Sequence, residues 1–152
     1  MYIRDCMKRG VISARAEITI RMAVQILIQN HIGTLPLVDS GNRLVGVVGM
    51  PGLLALAMPD FVHLVEDLDF VGDFGAVENM CPDAAVLDQP VHQIMGAVVA
   101  VAETAGLLRA ASLLQEHNLY DLPVVDEVGH LVGIASSVDI GVALMSNWAP
   151  TG

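Results

Sequence analysis

The sequence has few cysteines, and the two it has lie far apart. Only Cys6 and Cys81 occur among 152 residues, and no C-x-x-C motif is present. The sequence therefore predicts no disulfide framework and no cysteine-rich metal site. This scarcity is typical of a reducing compartment, so we expect a cytoplasmic location. We interpret each cysteine as a small core residue, with a nucleophilic role as the alternative.

Positive charge is also scarce. Seven Lys and Arg residues face 17 Asp and Glu residues, which gives a formal net charge of −10. Six of the seven basic residues lie between Arg4 and Arg43, and Arg109 is the only later one. So little positive charge cannot neutralise a phosphate backbone, and an anionic membrane surface would repel the chain. We therefore predict no binding to nucleic acid or to membranes.

Long apolar runs are missing although hydrophobic residues make up 54% of the chain. The longest uncharged run, 44–59, contains three glycines and two prolines. It is shorter than the roughly 20 residues that a bilayer-spanning helix requires. The first residues include an acid and no apolar segment, so we expect no signal peptide. We expect the surplus of apolar surface to be buried by self-association as a homodimer.

A stretch of the first half of the chain recurs 87 residues later. Residues 23–46 align with 110–133 without a gap, and nine positions are identical, among them the Leu-Pro pair, an Asp and the Leu-Val-Gly triplet. A tandem unit buries its apolar face mainly against its copy. We therefore expect two units related by a pseudo-two-fold axis, with equivalent clefts between them.

Hydrophobic periodicity predicts the same order of elements in both units, strand, helix, strand, strand, helix. For the first unit we predict strands at 11–14, 35–38 and 43–48, with helices from Thr19 to about Asn30 and at 52–57. For the second we predict strands at 98–101, 122–125 and 131–135. Its first helix has a periodic segment that starts at Leu107, preceded by Thr104, and ends near 117–118; its second helix is predicted at 138–145. The predicted fold class is α/β (α+β), a pair of β-α-β-β-α repeats. The predicted boundaries are 1–57, 58–90, 91–146 and a tail at 147–152.

The segment 58–90 between the repeats has a different character. Between Pro59 and Pro90 lie eight acidic residues and no Lys or Arg. Apolar residues at 61, 64, 65 and 68 predict an acidic amphipathic helix over 60–71, and 73–90 is expected to be loop with room for one short turn. We expect the apolar stripe to cover the core or a dimer partner. His63, Glu66 and Asp67 share one side of this helix, but without a second half-site we interpret them as a solvated acidic face and predict no metal site.

The repeated segments resemble the CBS domain pair, also called the Bateman module. The resemblance rests on Ile32-Gly-Thr-Leu-Pro-Leu-Val-Asp followed by Arg43-Leu-Val-Gly-Val-Val, and on their second copies from Leu119 and His130. Two lead-ins, defined here as 3–7 and 91–95, also resemble the element before each family repeat. The resemblance implies a sensor that binds adenine nucleotides or related adenosyl compounds between its repeats and pairs into a flat homodimeric disc.

The family's ribose-binding motif is matched in one repeat only. Gly133-Ile-Ala-Ser136-Ser-Val-Asp139 carries both the hydroxyl and the carboxylate, whereas the first repeat has Gly49 and Gly52 at those positions. A carboxylate at a helix start can accept hydrogen bonds from both ribose hydroxyls. Ser136-x-x-Asp139 is also a helix N-cap followed by an acid, and this structural reading remains the alternative.

The resemblance implies one adenosyl site per chain, in the cleft of the second repeat. We expect Ser136 and Asp139 to hold the ribose, and Val99, Tyr120 and Leu122 to line the base. Ser137 is also expected to belong to the binding site. Asp121 lies where several relatives carry His or Arg, so a carboxylate would repel phosphate. AMP, adenosine or S-adenosylmethionine therefore suits the site better than ATP, unless a basic residue or a metal approaches. The basic candidates are Arg15, Arg21, His117 and His130.

The predicted function is that of a stand-alone, regulatory CBS-pair protein without catalytic activity. No nucleophile elbow, Ser-His-Asp order or paired carboxylate stands out, and no resident cofactor is expected. Because no effector domain is recognisable, a protein effector would act in trans. The alternative is a ligand-free module for protein–protein interaction or dimerisation that uses the acidic helix.

Overall fold

The protein folds into two three-stranded sheets with helices packed on them. The structure is a computed structural model, and it describes residues 1–58 and 81–149. The strand orders are β1-β2-β3 and β4-β5-β6, one sheet for each repeat. This confirms the predicted mixed fold of two like units. The expected acidic helix at 60–71 and the His63 group lie outside the described residues.

The first repeat contains three strands and two helices. They are β1 (Ala14–Arg15), α1 (Ile20–Asn30), β2 (Thr34–Val38), β3 (Leu44–Gly49) and α2 (Met50–Ala57), preceded by a 3-10 turn at Ile3–Asp5. In the sheet, β1 runs parallel to β2, and β2 pairs antiparallel with β3. The predicted strand at 11–14 was wrong in position, because only Ala14 and Arg15 pair with β2.

The second repeat has the same order. A short helix α3 (Ala84–Leu87) and a 3-10 turn at Val91–Gln93 precede β4 (Val101–Ala102), α4 (Leu107–Glu116), β5 (Asp121–Val125), β6 (Leu131–Ser136) and α5 (Ser137–Met145). The predicted strand at 98–101 again lay too early. Helix α4 begins at Leu107, the first residue of the predicted periodic segment, with Gly106 as its N-cap. In the turn before it, Ala105 N donates to the Ala102 carbonyl.

The identical Asp of the two repeats shapes a tight turn between antiparallel strands. The Asp39 carboxylate accepts hydrogen bonds from Gly41 N at 2.8 Å and from Arg43 N at 2.9 Å. The Arg43 N–H bond is the main reason why the pKa of Asp39 lies below its ordinary value. Asp126 accepts from Val128 N and His130 N in the same way. The repeat thus conserves a local device that fixes strand register.

Each core is completed by the lead-in of the other repeat. Ile3 is fully buried in the cluster of the second repeat, and Val91 is fully buried in the cluster of the first. Backbone bonds hold this exchange: Ile3 N donates to Ala105 O at 2.8 Å, and Val91 N donates to Ile18 O at 2.7 Å. Burying such a side chain stabilises the fold by about 1.5–3 kcal/mol. The two repeats therefore depend on each other for a complete core.

The two repeats also meet directly about the pseudo-two-fold axis. Leu44 N donates to Gly129 O at 3.1 Å, and the equivalent Leu131 N donates to Asn42 O at 3.0 Å. Thr34 and Asp121, which are 87 residues apart, occupy equivalent positions and share a 2.9 Å side-chain hydrogen bond. Equivalent residues thus contact each other, as an internal two-fold axis requires.

Two strand glycines allow the lead-ins to approach. Gly46 in β3 lies against Met95, and Gly133 in β6 lies against Met7. Next to Gly133, Lys8 and Ile134 exchange backbone hydrogen bonds of 2.8 and 2.9 Å. The missing Cβ therefore makes room for the lead-in of the other repeat.

No helix in the described ranges is long and apolar enough to cross a bilayer.

We expect Gly133→Ala to destabilise the protein. The new Cβ would lie 3.0 Å from Met7 Cγ and 3.1 Å from the Lys8 carbonyl oxygen, so the lead-in must shift. Overpacking of this kind costs about 1–3 kcal/mol. Urea unfolding would measure the loss. The control is Gly52→Ala in α2, where the new Cβ meets nothing within 4 Å. Because Ala has a higher helix propensity than Gly, this control should raise the free energy of unfolding by at most about 1 kcal/mol. Equal stability of Gly133→Ala and wild type would contradict the assigned packing.

Candidate functional site

A cavity of about 550 Å³ lies between the two repeats beside the start of α2. It has walls from β3 and α2 of the first repeat and from the chain on either side of α4 in the second. Its lining residues are Gly33, Thr34, Val47, Gly49, Met50, Pro51, Gly52, Leu54, Ile94, Gly96, Ala97, Val99, Asn118, Leu119, Tyr120, Asp121 and Pro123. We call this space the Gly49 cavity.

The walls of the Gly49 cavity are mostly apolar, and of the described residues in its lining Asp121 alone is charged. The Asp121 carboxylate is partly buried and accepts the hydrogen bond from the Thr34 hydroxyl at 2.9 Å. Tyr120 stands beside it with 77% of its surface exposed. The cavity thus offers an apolar space with one negative group and one aromatic ring at its rim.

Helix α2 begins at the Gly49 cavity without a side-chain cap. Gly49 is the N-cap residue, and a proline follows in the first turn. Met50 N–H is satisfied by Gly33 O at 2.8 Å. Neither Gly49 nor Gly52 has a group that could bind a ribose hydroxyl. This end of the first repeat therefore lacks the chemistry of the ribose motif.

Helix α5 begins at the equivalent position of the second repeat, with a complete capping box. Ser136 Oγ accepts from Asp139 N at 3.0 Å, and Asp139 Oδ2 accepts from Ser136 N at 2.9 Å. The structural alternative for Ser136-x-x-Asp139 is therefore present in the fold. Within the described residues, the two side chains make no other hydrogen bond, so Asp139 Oδ1 has no hydrogen-bond partner there.

The residues beside Asp139 come from the far end of the chain. Lys8 Nζ lies 3.9 Å from Asp139 Oδ2. The negative charge of Asp139 also acts on the Cys6 thiol. Burial raises the pKa of the Cys6 thiol, and the charges of Asp139 and Asp5 raise it further. We call the space beside Ser136, Ser137, Asp139 and Lys8 the Asp139 cleft. Lys8 supplies a cation there, whereas the part of the Gly49 cavity lining that the structure describes has no Lys, Arg or His.

The structure divides the six predicted site residues into three groups. Val99 and Tyr120 line the Gly49 cavity. Leu122 is fully buried in the core of the second repeat. Ser136, Ser137 and Asp139 lie at the start of α5. Tyr120 connects two of these groups, because its carbonyl accepts from Ser137 N at 2.7 Å. Their roles in ligand binding stay predictions.

Sequence reasoning missed Lys8 and Cys6 as neighbours of Asp139. They precede Asp139 by more than 130 residues. The sequence showed only that the two lead-ins are similar, and this similarity does not reveal that each lead-in packs on the opposite repeat. Three of the proposed basic residues are instead paired elsewhere: Arg15 with Glu17, Arg21 with Asp88 and His130 with Asp126. Within 1–58 and 81–149, no group of three potential metal ligands occurs.

Comparison with curated proteins gives relatives that share both repeats. A 27% match over 138 residues to the L-aspartate semialdehyde sulfurtransferase of Methanocaldococcus jannaschii covers 91% of this chain but 22% of that relative. A 31% match over 133 residues to the chloroplastic CBS domain-containing protein CBSX1 of Arabidopsis thaliana covers 76% of this chain and 51% of the relative. The chain thus spans about half of one relative and less than a quarter of the other.

A solved structure shares the whole architecture. CBSX2 of Arabidopsis thaliana in complex with AMP superposes with a TM-score of 0.68 at 25% identity, covering 97% of this chain and 98% of that one. The family model of the CBS domain matches residues 3–57 and again 91–146. With both repeats matched and the paired fold shared, the chain belongs to the CBS domain family as a CBS domain pair.

Proposed function

We propose that this protein is a regulatory module that binds one adenosyl ligand in the Asp139 cleft. The observation that carries the proposal is the difference between the two helix starts. Ser136 and Asp139 provide a hydroxyl and a carboxylate at α5, whereas α2 has two glycines there. CBSX2, which has the same fold, binds AMP, and this supports a ligand with an adenosine body.

The Asp139 carboxylate has capacity for a ribose in addition to its capping role. Its Oδ2 accepts from Ser136 N and lies near Lys8, while Oδ1 is open among the described residues. A ribose hydroxyl that donates to a carboxylate makes a charge-assisted bond of about 1.5–3 kcal/mol. Capping and ribose binding are therefore compatible uses of one side chain.

The charges around the Asp139 cleft favour a ligand with at most one phosphate. Lys8 supplies one cation near Asp139. Asp121 is the direct strand partner of Ser136 in the β5–β6 pair, but its carboxylate accepts from Thr34 and belongs to the Gly49 cavity. A single lysine beside the Asp139 carboxylate suits adenosine, AMP or S-adenosylmethionine better than ATP, whose several negative charges it cannot balance.

A ligand in this cleft would contact parts of the chain that belong to different repeats. Lys8 follows the first lead-in, whereas Asp139 lies on the last helix of the second repeat. If the ligand binds one relative orientation of the two repeats more tightly than another, binding shifts the population towards that orientation. We propose that a protein effector on another polypeptide reads this change, without catalysis by the module itself.

We expect Asp139→Asn to weaken adenosyl binding at least tenfold. The Asn side-chain oxygen can still accept from Ser136 N, so the cap is largely retained, but the charge that favours the ribose hydroxyls is lost. Titration calorimetry with the best ligand from a panel of adenosine, AMP, ADP, ATP, NAD and S-adenosylmethionine measures the affinity. Asp88→Asn removes one exposed carboxylate elsewhere and should leave the affinity unchanged.

Thermal shift across the same panel separates this proposal from a ligand-free interaction module. A ligand at about 100 times its Kd stabilises the folded state by about 2.7 kcal/mol. The assigned site would be rejected if no ligand of the panel raised the unfolding temperature, or if wild type and Asp139→Asn bound the ligand equally well. The absence of any shift would also favour the alternative, an interaction module that uses the predicted acidic helix.

We also propose that the protein forms a homodimer through the outer face of α5. Val138, Val142 and Met145 form an exposed apolar stripe on this helix. We propose that a second copy of the chain covers this stripe. In a two-fold dimer the same apolar stripe of both copies meets, so each stripe is buried against the other.

We expect Val142→Glu to shift the protein towards the monomer. Val142 is 60% exposed, so the folded monomer tolerates a charge there, whereas a dimer would have to bury it. The control is Val128→Glu in the β5–β6 turn, where the valine is similarly exposed at 56%. Sedimentation velocity should show weaker self-association for Val142→Glu alone. A monomeric wild-type protein at micromolar concentration would refute this interface.

A further inference from the structure

The Gly49 cavity differs in chemistry from the Asp139 cleft, although the two are equivalent by the internal symmetry. We propose that the Gly49 cavity binds a second ligand of another class, a small apolar molecule that carries a positively charged ammonium group. Asp121 would pair with the ammonium group, and the apolar walls would contact the rest of the molecule. This inference goes beyond the adenosyl site and does not depend on it.

The described lining residues of the Gly49 cavity do not provide the groups that bind the ribose and the phosphate of a nucleotide. Gly49 and Gly52 replace the hydroxyl and the carboxylate of the ribose motif. Among the described residues that line it, none is a Lys, Arg or His that could pair with phosphate. A phosphate in this cavity would face the Asp121 carboxylate without a compensating cation, and an apolar surrounding strengthens that repulsion. The cavity therefore selects against anionic ligands.

The size and walls of the cavity fit a small organic molecule. Its volume of about 550 Å³ falls within the range of roughly 300–1,000 Å³ typical of ligand pockets. Side chains such as Val47, Leu54 and Val99 give it apolar walls. Ligand pockets combine such walls with a few polar groups that fix orientation. In the Gly49 cavity the hydrogen-bonded pair of Thr34 and Asp121 is that polar feature.

Within 1–58 and 81–149, no basic side chain neutralises the charge of Asp121. Its Oδ2 accepts one hydrogen bond from Thr34, and no basic side chain of the described residues lies within ion-pair distance of it. A partly buried carboxylate in an apolar wall attracts a cation more strongly than an exposed one does. The Tyr120 ring at the rim adds a face on which a cation can bind. A cationic ligand thus satisfies a charge that the fold leaves uncompensated.

Three indole probes of nearly equal size test the charge preference. Tryptamine carries an ammonium group, tryptophol a neutral hydroxyl and indole-3-acetate a carboxylate at about the same distance from the ring. Calorimetric titration of the full chain should show that tryptamine binds at least tenfold more tightly than tryptophol. Indole-3-acetate should bind more weakly still. In amide NMR spectra, tryptamine should shift the signals of Val99, Tyr120 and Gly96.

Matched variants connect this preference to the cavity. Asp121→Asn keeps an acceptor for the Thr34 hydroxyl but removes the charge, so tryptamine affinity should fall to that of tryptophol. Gly52→Phe should abolish binding of both probes, because a side chain at position 52 meets open space and can fill the cavity. Ala55→Phe on the exposed side of α2 is its control. Asp139→Asn should leave tryptamine binding unchanged, which separates this site from the adenosyl site.

The outcomes decide the proposal in either direction. Charge-selective binding that is lost in Asp121→Asn and blocked in Gly52→Phe supports it, provided that both variants keep the wild-type circular dichroism spectrum. Absence of saturable tryptamine binding up to 10 mM overturns it. Equal affinities for the three probes, unchanged affinity in Asp121→Asn, or displacement of tryptamine by AMP in the Asp139→Asn variant also overturn it.

Discussion

The exchange of lead-ins between the repeats holds the two halves of the fold together. Each lead-in places a buried aliphatic residue, Ile3 or Val91, in the core of the other repeat. It then places a methionine against a strand glycine of that repeat. Neither core is complete alone, so folding of one repeat is coupled to folding of the other. The Gly49 cavity lies where the chain after the second lead-in meets the first repeat.

The same exchange explains the composition of the clefts. In the Gly49 cavity, residues after the second lead-in meet the end of β3 and the start of α2. In the Asp139 cleft, Lys8 after the first lead-in meets the start of α5. The hydrogen bond between Thr34 and Asp121 lies between the repeats at equivalent positions. A substitution in a lead-in therefore changes the chemistry of the cleft in the opposite repeat, which allows the two clefts to diverge independently.

Sequence periodicity predicted most of the fold well where local forces decide it. Helix α1, the strand pairs and the Asp turns lie within a residue or two of their predicted positions, because capping, alternation and turn chemistry are local. The strands β1 and β4 were predicted too early, since their two-residue lengths are set by pairing with β2 and β5. For the site, the sequence singled out the motif at Ser136 and Asp139 and grouped Val99, Tyr120 and Leu122 with it. In the structure Val99 and Tyr120 line the Gly49 cavity and Leu122 lies in the core of the second repeat, while the Tyr120 carbonyl accepts from Ser137 N beside the motif.

Residue identities, compared position by position, were sufficient to reveal the duplication, the order of elements, the resemblance to the family, and the glycines at 49 and 52 in place of the hydroxyl and the carboxylate. Folding is what brings together the segments that share a core, and it places Lys8 beside Asp139. It also places Asp121 at an apolar cavity whose described lining contains no Lys, Arg or His. Such contacts join residues that are distant in the chain. They depend on the packing of whole elements, and no local pattern records that packing.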